Sequence, residues 1–185
     1  MNKSFFVLEE NVHIRDRWFL GDFQSTDSGD RQRLTSHTPC IGTFDIDPGE
    51  GGRPMDLSLT AYGLPIASKR LALLIARLAG NKVKLVNARI RGYGEFAFVQ
   101  CLHSIDCVDR ISSRFDLFDN DDPIESRRGK FKAFLKLIVK PESIPNDAHF
   151  FYADGWSFRP VVSEEMKQVI LSTGENSVKF LPANP

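Results

Sequence analysis

The stretch PIASKRLALLIARLAGNKVKLVNA, residues 65–88, decides the fold of this chain, because the similar stretch PVVSEEMKQVILSTGENSVKFLPA follows at residues 160–183. The offset is a constant 95 residues without a gap, and seven of the 24 aligned positions are identical. Average composition gives about one or two identities in any one register. The identical pairs are Pro65/Pro160, Ser68/Ser163, Ile75/Ile170, Asn81/Asn176, Val83/Val178, Lys84/Lys179 and Ala88/Ala183. The chain therefore encodes one local structure twice.

Each copy has the pattern of a capped helix that leads into a strand. Ser68 and Ser163 are placed to accept a hydrogen bond from an early helical N–H, and Gly80 and Gly174 are suited to end the helices. Apolar side chains at helical spacing follow the serines, at Leu71, Leu74, Ile75 and Leu78 and at Met166, Val169, Ile170 and Thr173. We expect helices over about 68–79 and 163–173, followed by strands at 83–86 and 178–181. True duplication and independent reuse of common helix caps both stay open.

The rest of the chain reads as short strands separated by loops. Strands are expected at 5–8, 18–23 and 55–60, with loop composition at 25–30 and 48–54. A single long strand is expected over 95–109, covered on both faces, and an alternating strand over 131–139 with Phe131, Ala133, Leu135, Leu137 and Val139 on one face. The fold class is therefore α+β with a mixed or antiparallel sheet. Residues 1–185 form a single domain, or two subdomains, 1–109 and 131–185, joined by an exposed loop at 110–130.

Composition excludes several classes of protein. The 24 basic residues balance the 24 acidic ones, so no whole-molecule field favours nucleic acid or an anionic membrane. Three cysteines in 185 residues argue against a secreted disulfide framework and for a reducing compartment. The apolar run near the N-terminus is too short for a signal-peptide core. We therefore expect a soluble cytoplasmic protein.

No motif carries recognisable catalytic or metal chemistry. Cys101 and Cys107 would lie about 20 Å apart on one strand, too far for one ion, so we expect buried cysteines and, at His103, a core histidine. The aspartates of DLFDNDD lack the glycine and glutamate of a calcium loop, and GEGG at 49–52 does not lead a strand into a helix. We expect no cofactor, no metal and no catalytic residues.

One helix end has unusual electrostatics. Lys69 and Arg70 follow the cap of the first predicted helix, where the helix dipole disfavours cations, whereas Glu164 and Glu165 occupy the favourable positions of the second. Either these cations are a harmless exposed cost of roughly a few tenths of a kcal/mol each, or an anion lies near the first end. The acidic segment 116–125 and an acidic partner surface are the two candidate sources.

The order of several phrases resembles a known family. These are FFVL, GRPMDLSLTAYGLPIASKRLALLI, VKLVNARI, FVQCLHSIDCVDR, FKAFLKLIV, AHFF and RPVVSEEMKQVILSTGENSVKFLP. Together they resemble the eleventh-numbered immunity family of bacterial polymorphic toxin systems, formerly a domain of unknown function. The resemblance implies a cytoplasmic protein that binds a cognate toxin encoded nearby and blocks it by stoichiometric occlusion. It implies no catalytic residues.

The loop at 110–130 is the first candidate for the toxin-binding surface, because a polar, charged loop can meet a charged enzyme surface. The alternative is a mobile, solvated loop with no role in binding. The residues expected to contact the toxin are Phe115, Asp116, Phe118, Asp119, Asp121, Asp122 and Glu125. The second candidate is Lys69 and Arg70 together with the turn at 153–159, where Trp156 is expected to be an exposed anchor.

Two other function classes stay open. One is a small hydrolase or transferase that uses His103 with Asp106 or Asp109. The other is a nucleic-acid-binding module that uses Lys69, Arg70, Arg89 and Arg91.

Overall fold

A computed structural model describes residues 3–25, 34, 37–174 and 177–184. It has an α+β fold that is mostly β-sheet, as predicted. The strands are β1 (Phe5–Glu10), β2 (Phe19–Ser25), β3 (Thr43–Glu50), β4 (Leu57–Leu59), β5 (Pro65–Ser68), β6 (Val83–Ile90), β7 (Gly94–Cys101), β8 (Ser104–Ile105), β9 (Arg114–Leu117), β10 (Phe131–Lys136), β11 (Phe150–Ala153), β12 (Trp156–Ser163) and β13 (Val178–Pro182). The helices are α1 (Lys69–Ala79) and α2 (Glu164–Leu171).

The described strands form three sheets. A six-stranded sheet has the order β2-β3-β6-β7-β5-β4, a five-stranded sheet has the order β13-β1-β12-β11-β8, and β9 pairs with β10 alone. The β3–β6 and β11–β8 pairs are parallel and the other pairs are antiparallel. The two larger sheets are therefore mixed and β9–β10 is antiparallel, as the sequence predicts.

The two repeated stretches form equivalent units. In the first, the β4–β5 hairpin leads into α1 and then β6, and both β5 and β6 pair antiparallel with β7. In the second, the β11–β12 hairpin leads into α2 and then β13, and both β12 and β13 pair antiparallel with β1. The helix-then-strand order is confirmed. The central strand differs in origin, because β7 follows its unit in the chain whereas β1 comes from the N-terminus.

The predicted serine caps are confirmed. The Ser68 hydroxyl accepts from the Leu71 N–H at 3.4 Å, and the Ser163 hydroxyl accepts from the Met166 N–H at 3.2 Å. Gly80, with a φ of 61°, follows the last residue of α1. Helix α2 ends at Leu171, two residues before the predicted end. The Thr173 hydroxyl there donates to the Ile170 carbonyl at 3.0 Å, and such bonds compete with helical pairing.

One core joins the two units. Leu71 and Ile75 of α1 and Met166 and Ile170 of α2 are fully buried, the helices contact each other, and each packs on the strands of its own unit. The other predicted stripe positions, Leu74, Leu78, Val169 and Thr173, are only half-buried.

The single long strand predicted over 95–109 is wrong. Strand β7 ends at Cys101, where its pairing with β6 ends opposite Val83. The chain then crosses to the other sheet and forms β8 beside β11. Coverage of both faces is confirmed for β7, because Ala97 packs in the shared core and Phe98 in a second core, against Phe44.

The predicted faces of 131–139 are also wrong. Strand β10 ends at Lys136 and its register with β9 shifts twice, so alternation does not continue. Leu135 is 84% exposed, whereas Leu137 and Val139 are buried together with Ile138. A β-bulge moves the following side chains to the opposite face. The segment 110–130 is likewise not simply a loop, because it contains β9.

The other strand and loop predictions are confirmed in whole or in part. Strands at 5–8 and 18–23 are confirmed as β1 and β2. The strand at 55–60 is confirmed only over β4, whose residues are all buried. Strand β3 runs to Glu50, so the break predicted at 48–54 begins later. In the loop predicted at 25–30, Ser25 ends β2 and the remaining positions lie outside the described residues.

Arg17 connects the two sheets. Its buried guanidinium pairs with Glu10 at the end of β1, donates to the Ser177 carbonyl before β13 at 3.1 Å, and reaches the Ser58 hydroxyl of β4 at 3.4 Å. Strand β1 itself lies between β12 and β13. The division into two subdomains at 110–130 stays a prediction. Strand β1 precedes this segment in the chain and pairs with β12 and β13, which follow it. Among the described helices, none has the length and apolar character to cross a membrane.

Candidate functional site

The β9–β10 hairpin, residues 114–136, carries the first predicted site. Phe115 lies opposite Phe134 and Leu117 opposite Phe131. Pairing continues past β9, because the Phe118 N–H donates to the Lys130 carbonyl at 3.0 Å and the Gly129 N–H to the Phe118 carbonyl at 3.2 Å. Residues 119–128 therefore form the tip of a hydrogen-bonded hairpin.

Charge is segregated along this hairpin. All its carboxylates lie at 116–125 and, apart from Arg114, all its cations lie at 127–136. The side chains of Asp116, Asp119, Asp121 and Glu125 are exposed. Asp122 is half-buried, and its Oδ1 accepts from the Ile124 N–H at 2.8 Å. The hairpin thus presents an acidic tip beside a basic arm.

An aromatic cluster attaches the hairpin to the β11–β12 turn. Ring centroids lie 4.9 Å apart for Phe115–Phe131, 4.7 Å for Phe131–Phe134 and 4.9 Å for Phe134–Trp156. Trp156 is 8% exposed, so the prediction of an exposed anchor is wrong: the hairpin covers it. Phe115 is half-buried in this cluster, and Phe118 is half-buried under Arg127, whose guanidinium carbon lies 5.5 Å from the ring centre.

A groove of about 430 Å³ opens between the hairpin and the start of β12. It is lined by Tyr62, Phe118, Arg127, Lys130, Phe131, Lys132, Gly155, Trp156, Ser157 and Phe158. Tyr62 is 40% exposed and Phe158 is 44% exposed. Lys130, Phe131 and Trp156 also border a neighbouring, more polar cleft of about 420 Å³, which includes His37. The first predicted site and Trp156 of the second thus meet at one surface.

The remaining residues of the second predicted site lie at the start of α1. Lys69 forms an ion pair with Glu95 of β7, so the expected anion comes from Glu95 and not from 116–125. The hydrogen bond from Lys69 lowers the pKa of the Glu95 carboxyl. Arg70 is exposed.

Three of the four cations proposed for nucleic acid, Lys69, Arg89 and Arg91, are paired with carboxylates. Arg89 binds Asp45 with two bonds of 2.8 and 3.1 Å, and Arg91 pairs with Asp47 at 2.8 Å. Together with Lys69 and Glu95 they make a surface of alternating sign, which attracts a polyanion weakly.

The residues considered for catalysis, His103, Asp106 and Asp109, have different surroundings. His103 is exposed, so the expectation of a core histidine is wrong. The Asp109 carboxylate accepts from the Ile111 and Ser112 N–H groups at 2.9 and 3.1 Å, which caps a turn. Asp106 borders the polar cleft. No group of three or more His, Cys, Asp or Glu side chains is placed to hold a metal ion within the described part of the chain.

The cysteines are buried, as predicted. Burial raises the pKa of Cys101 to about 11 and that of Cys107 to about 12. Both groups are therefore neutral thiols at physiological pH, which makes them poor nucleophiles.

Seven of the ten residues that line the groove belong to the predicted loop 110–130 or to the predicted turn 153–159. The other three are Tyr62, in the β4–β5 turn, and Phe131 and Lys132, on β10. One signal was present, since Trp156 and Phe158 alternate on a strand that starts after Asp154-Gly155, a turn dipeptide. Their meeting with the hairpin has no local signal.

These features define a mostly β, α+β protein with a charge-segregated hairpin beside an aromatic groove. The model of the immunity protein family Imm11 matches residues 16–184. The match covers nearly the whole chain, and the chain belongs to this family. A comparison with curated proteins found no match.

Proposed function

We propose that this protein is a cytoplasmic immunity protein that binds a cognate toxin, encoded nearby, and neutralises it by stoichiometric occlusion. The observation that carries the proposal is membership of the immunity protein family over residues 16–184. The protein acts without cofactor or catalysis, as a rigid scaffold that presents a recognition surface.

The acidic tip of the hairpin is the proposed contact with the toxin. Asp116, Asp119, Asp121 and Glu125 are exposed, and nothing in the core requires their charge. Toxins that act on nucleic acid need a cationic cleft, and a row of carboxylates is complementary to such a cleft. Phe118 lies at the base of the tip and supplies an apolar contact, whereas Phe115 is engaged in the aromatic cluster.

The test replaces Asp116, Asp119, Asp121 and Asp122 with asparagine. Asparagine keeps an Oδ1 acceptor for the Ile124 N–H, so the melting temperature should stay within about 2 °C of the wild type. Association with the toxin domain of the neighbouring gene should slow about tenfold and lose much of its salt dependence. Both are measured by surface plasmon resonance at several salt concentrations.

A charge-matched pair of variants provides the control. Asp119→Asn/Asp121→Asn is compared with Glu50→Gln/Glu142→Gln, which removes the same charge from exposed positions outside the hairpin. Cells that produce the toxin should lose protection only with the first pair. Equal protection and equal kinetics for both pairs would remove the acidic tip from the interface. Failure of the wild-type protein to bind or protect would refute the proposed function itself.

A further inference from the structure

We propose that the aromatic groove beside the acidic tip binds an acidic segment of the toxin that carries an apolar side chain. This inference rests on the proposed function and concerns a second part of the same interface. In this interface the basic arm of the hairpin binds acidic groups of the toxin, whereas the acidic tip binds basic ones.

The floor and walls of the groove suit an apolar anchor. Phe131 and Trp156 are nearly buried and form the floor, while Tyr62 and Phe158 keep 40% and 44% of their surface exposed. The Trp156 and Phe158 rings lie 6.4 Å apart. Aromatic rings offer a large contact area with few rotatable bonds, which is why they dominate binding energy at protein interfaces.

The rim of the groove carries cations without carboxylate partners. Lys130 and Lys132 are exposed, and within the described residues neither ammonium group forms an ion pair. Lys69, Arg89 and Arg91 elsewhere on the surface are paired. An apolar floor with unpaired cations at its edge is complementary to carboxylates flanking an apolar side chain.

The acidic tip and the basic rim of the groove together specify the orientation in which the toxin binds. A tip that is only acidic attracts any cationic protein, whereas an acidic tip next to a basic groove repels partners whose charges are arranged in the opposite order. Such repulsion contributes to specificity as much as attraction does. The groove therefore helps this protein to select one toxin.

The first experiment reverses charge at the rim. Lys130→Glu/Lys132→Glu is compared with Arg77→Glu/Lys84→Glu, an equal change at exposed positions of α1 and β6. Binding of the toxin domain of the neighbouring gene should weaken about tenfold or more in the first variant and less than about twofold in the control. Thermal melts verify that both variants fold. Equal affinities in two folded variants would overturn the inference while leaving the proposed function intact.

The second experiment identifies the occupant. A photo-crosslinking p-benzoylphenylalanine replaces Tyr62 in the groove, and a control replaces Leu73, which is 64% exposed on α1. After irradiation of the complex with the toxin domain, mass spectrometry should find Tyr62-site crosslinks to a toxin peptide with several Asp or Glu residues and an apolar side chain. A basic toxin peptide, a crosslink to a second copy of this chain, or toxin crosslinks from the Leu73 site alone would overturn the inference. A wild-type complex that does not form refutes the proposed function instead.

Discussion

Gly63→Ala tests how the two repeated units are fitted together. Gly63 lies in the turn between β4 and β5, has a φ of +73°, and approaches β12 so closely that an added Cβ would lie 1.6 Å from the Phe158 carbonyl oxygen. Its N–H donates to the Thr60 carbonyl at 2.8 Å, which keeps the turn tight, and the flanking strands β4 and β5 are held in the six-stranded sheet. The substitution must displace either the turn or the start of β12.

The magnitude follows from two costs. A left-handed backbone conformation costs a residue with a Cβ about 1–2 kcal/mol. Forcing an extra methyl group into a packed site costs about 1–3 kcal/mol more, and a backbone neighbour makes the upper end the better estimate. Gly92→Ala is the matched control, because Gly92 has a φ of +82° and an added Cβ would meet nothing within 4 Å. We expect Gly63→Ala to lower the free energy of unfolding by about 3–5 kcal/mol and the control by about 1–2 kcal/mol.

Urea unfolding followed by tryptophan fluorescence measures both values. A difference of about 2 kcal/mol between the variants corresponds to a shift of about 1 M in the midpoint. Because Tyr62 and Phe158 flank the contact and line the groove, the same substitution should also weaken toxin binding. Equal losses of stability in the two variants would show that the close approach of the β4–β5 turn to β12 does not exist in solution.

Two further predictions concern the core that joins the two units. Leu71→Ala should lower the free energy of unfolding by about 2–5 kcal/mol because Leu71 is fully buried. Leu74→Ala and Val169→Ala, at half-buried positions, should each lower it by about 1–2 kcal/mol. Equal losses of stability for Leu71→Ala and for Leu73→Ala, at an exposed position, would contradict the observed buried face of α1. Burial raises the pKa of Cys101 to about 11 and that of Cys107 to about 12. Their thiolate fraction at pH 8 is therefore at least about a hundredfold lower than that of a solvent-exposed cysteine with an ordinary pKa. Ellman's reagent should therefore modify them at least about a hundredfold more slowly in the native protein than in guanidinium chloride, and rapid modification of the native protein would contradict their burial.

The site was only partly predictable. The segment 116–125 was singled out from its composition, and its carboxylates are exposed, apart from the half-buried Asp122. The sequence predicts an exposed Trp156, but Phe134 of another hairpin packs against its ring and the side chain is buried. The sequence does not mark Lys130 and Lys132 as binding residues, since their proposed role depends on aromatic rings beside them in space and not on their neighbours in the chain.

The sequence by itself determined both serine-capped helices, the strands that follow them and the α+β class. These features depend on local physics: a hydroxyl near an early helical N–H, an apolar side chain every three or four residues, and a glycine at the end of α1. Such signals lie within about 24 residues and survive in both copies of the repeat.

Only the tertiary structure decided which strands complete the two units and where the strands break. Strand β1 pairs with β12 and β13 from the far end of the chain, and β7 ends at Cys101 because its partner β6 begins at Val83. The bulges of β10 likewise depend on its pairing with β9. Pairing between distant strands is set by the burial of whole faces, so no local pattern encodes it. The groove follows from that pairing, which brings Tyr62, the hairpin and Phe158 to one place.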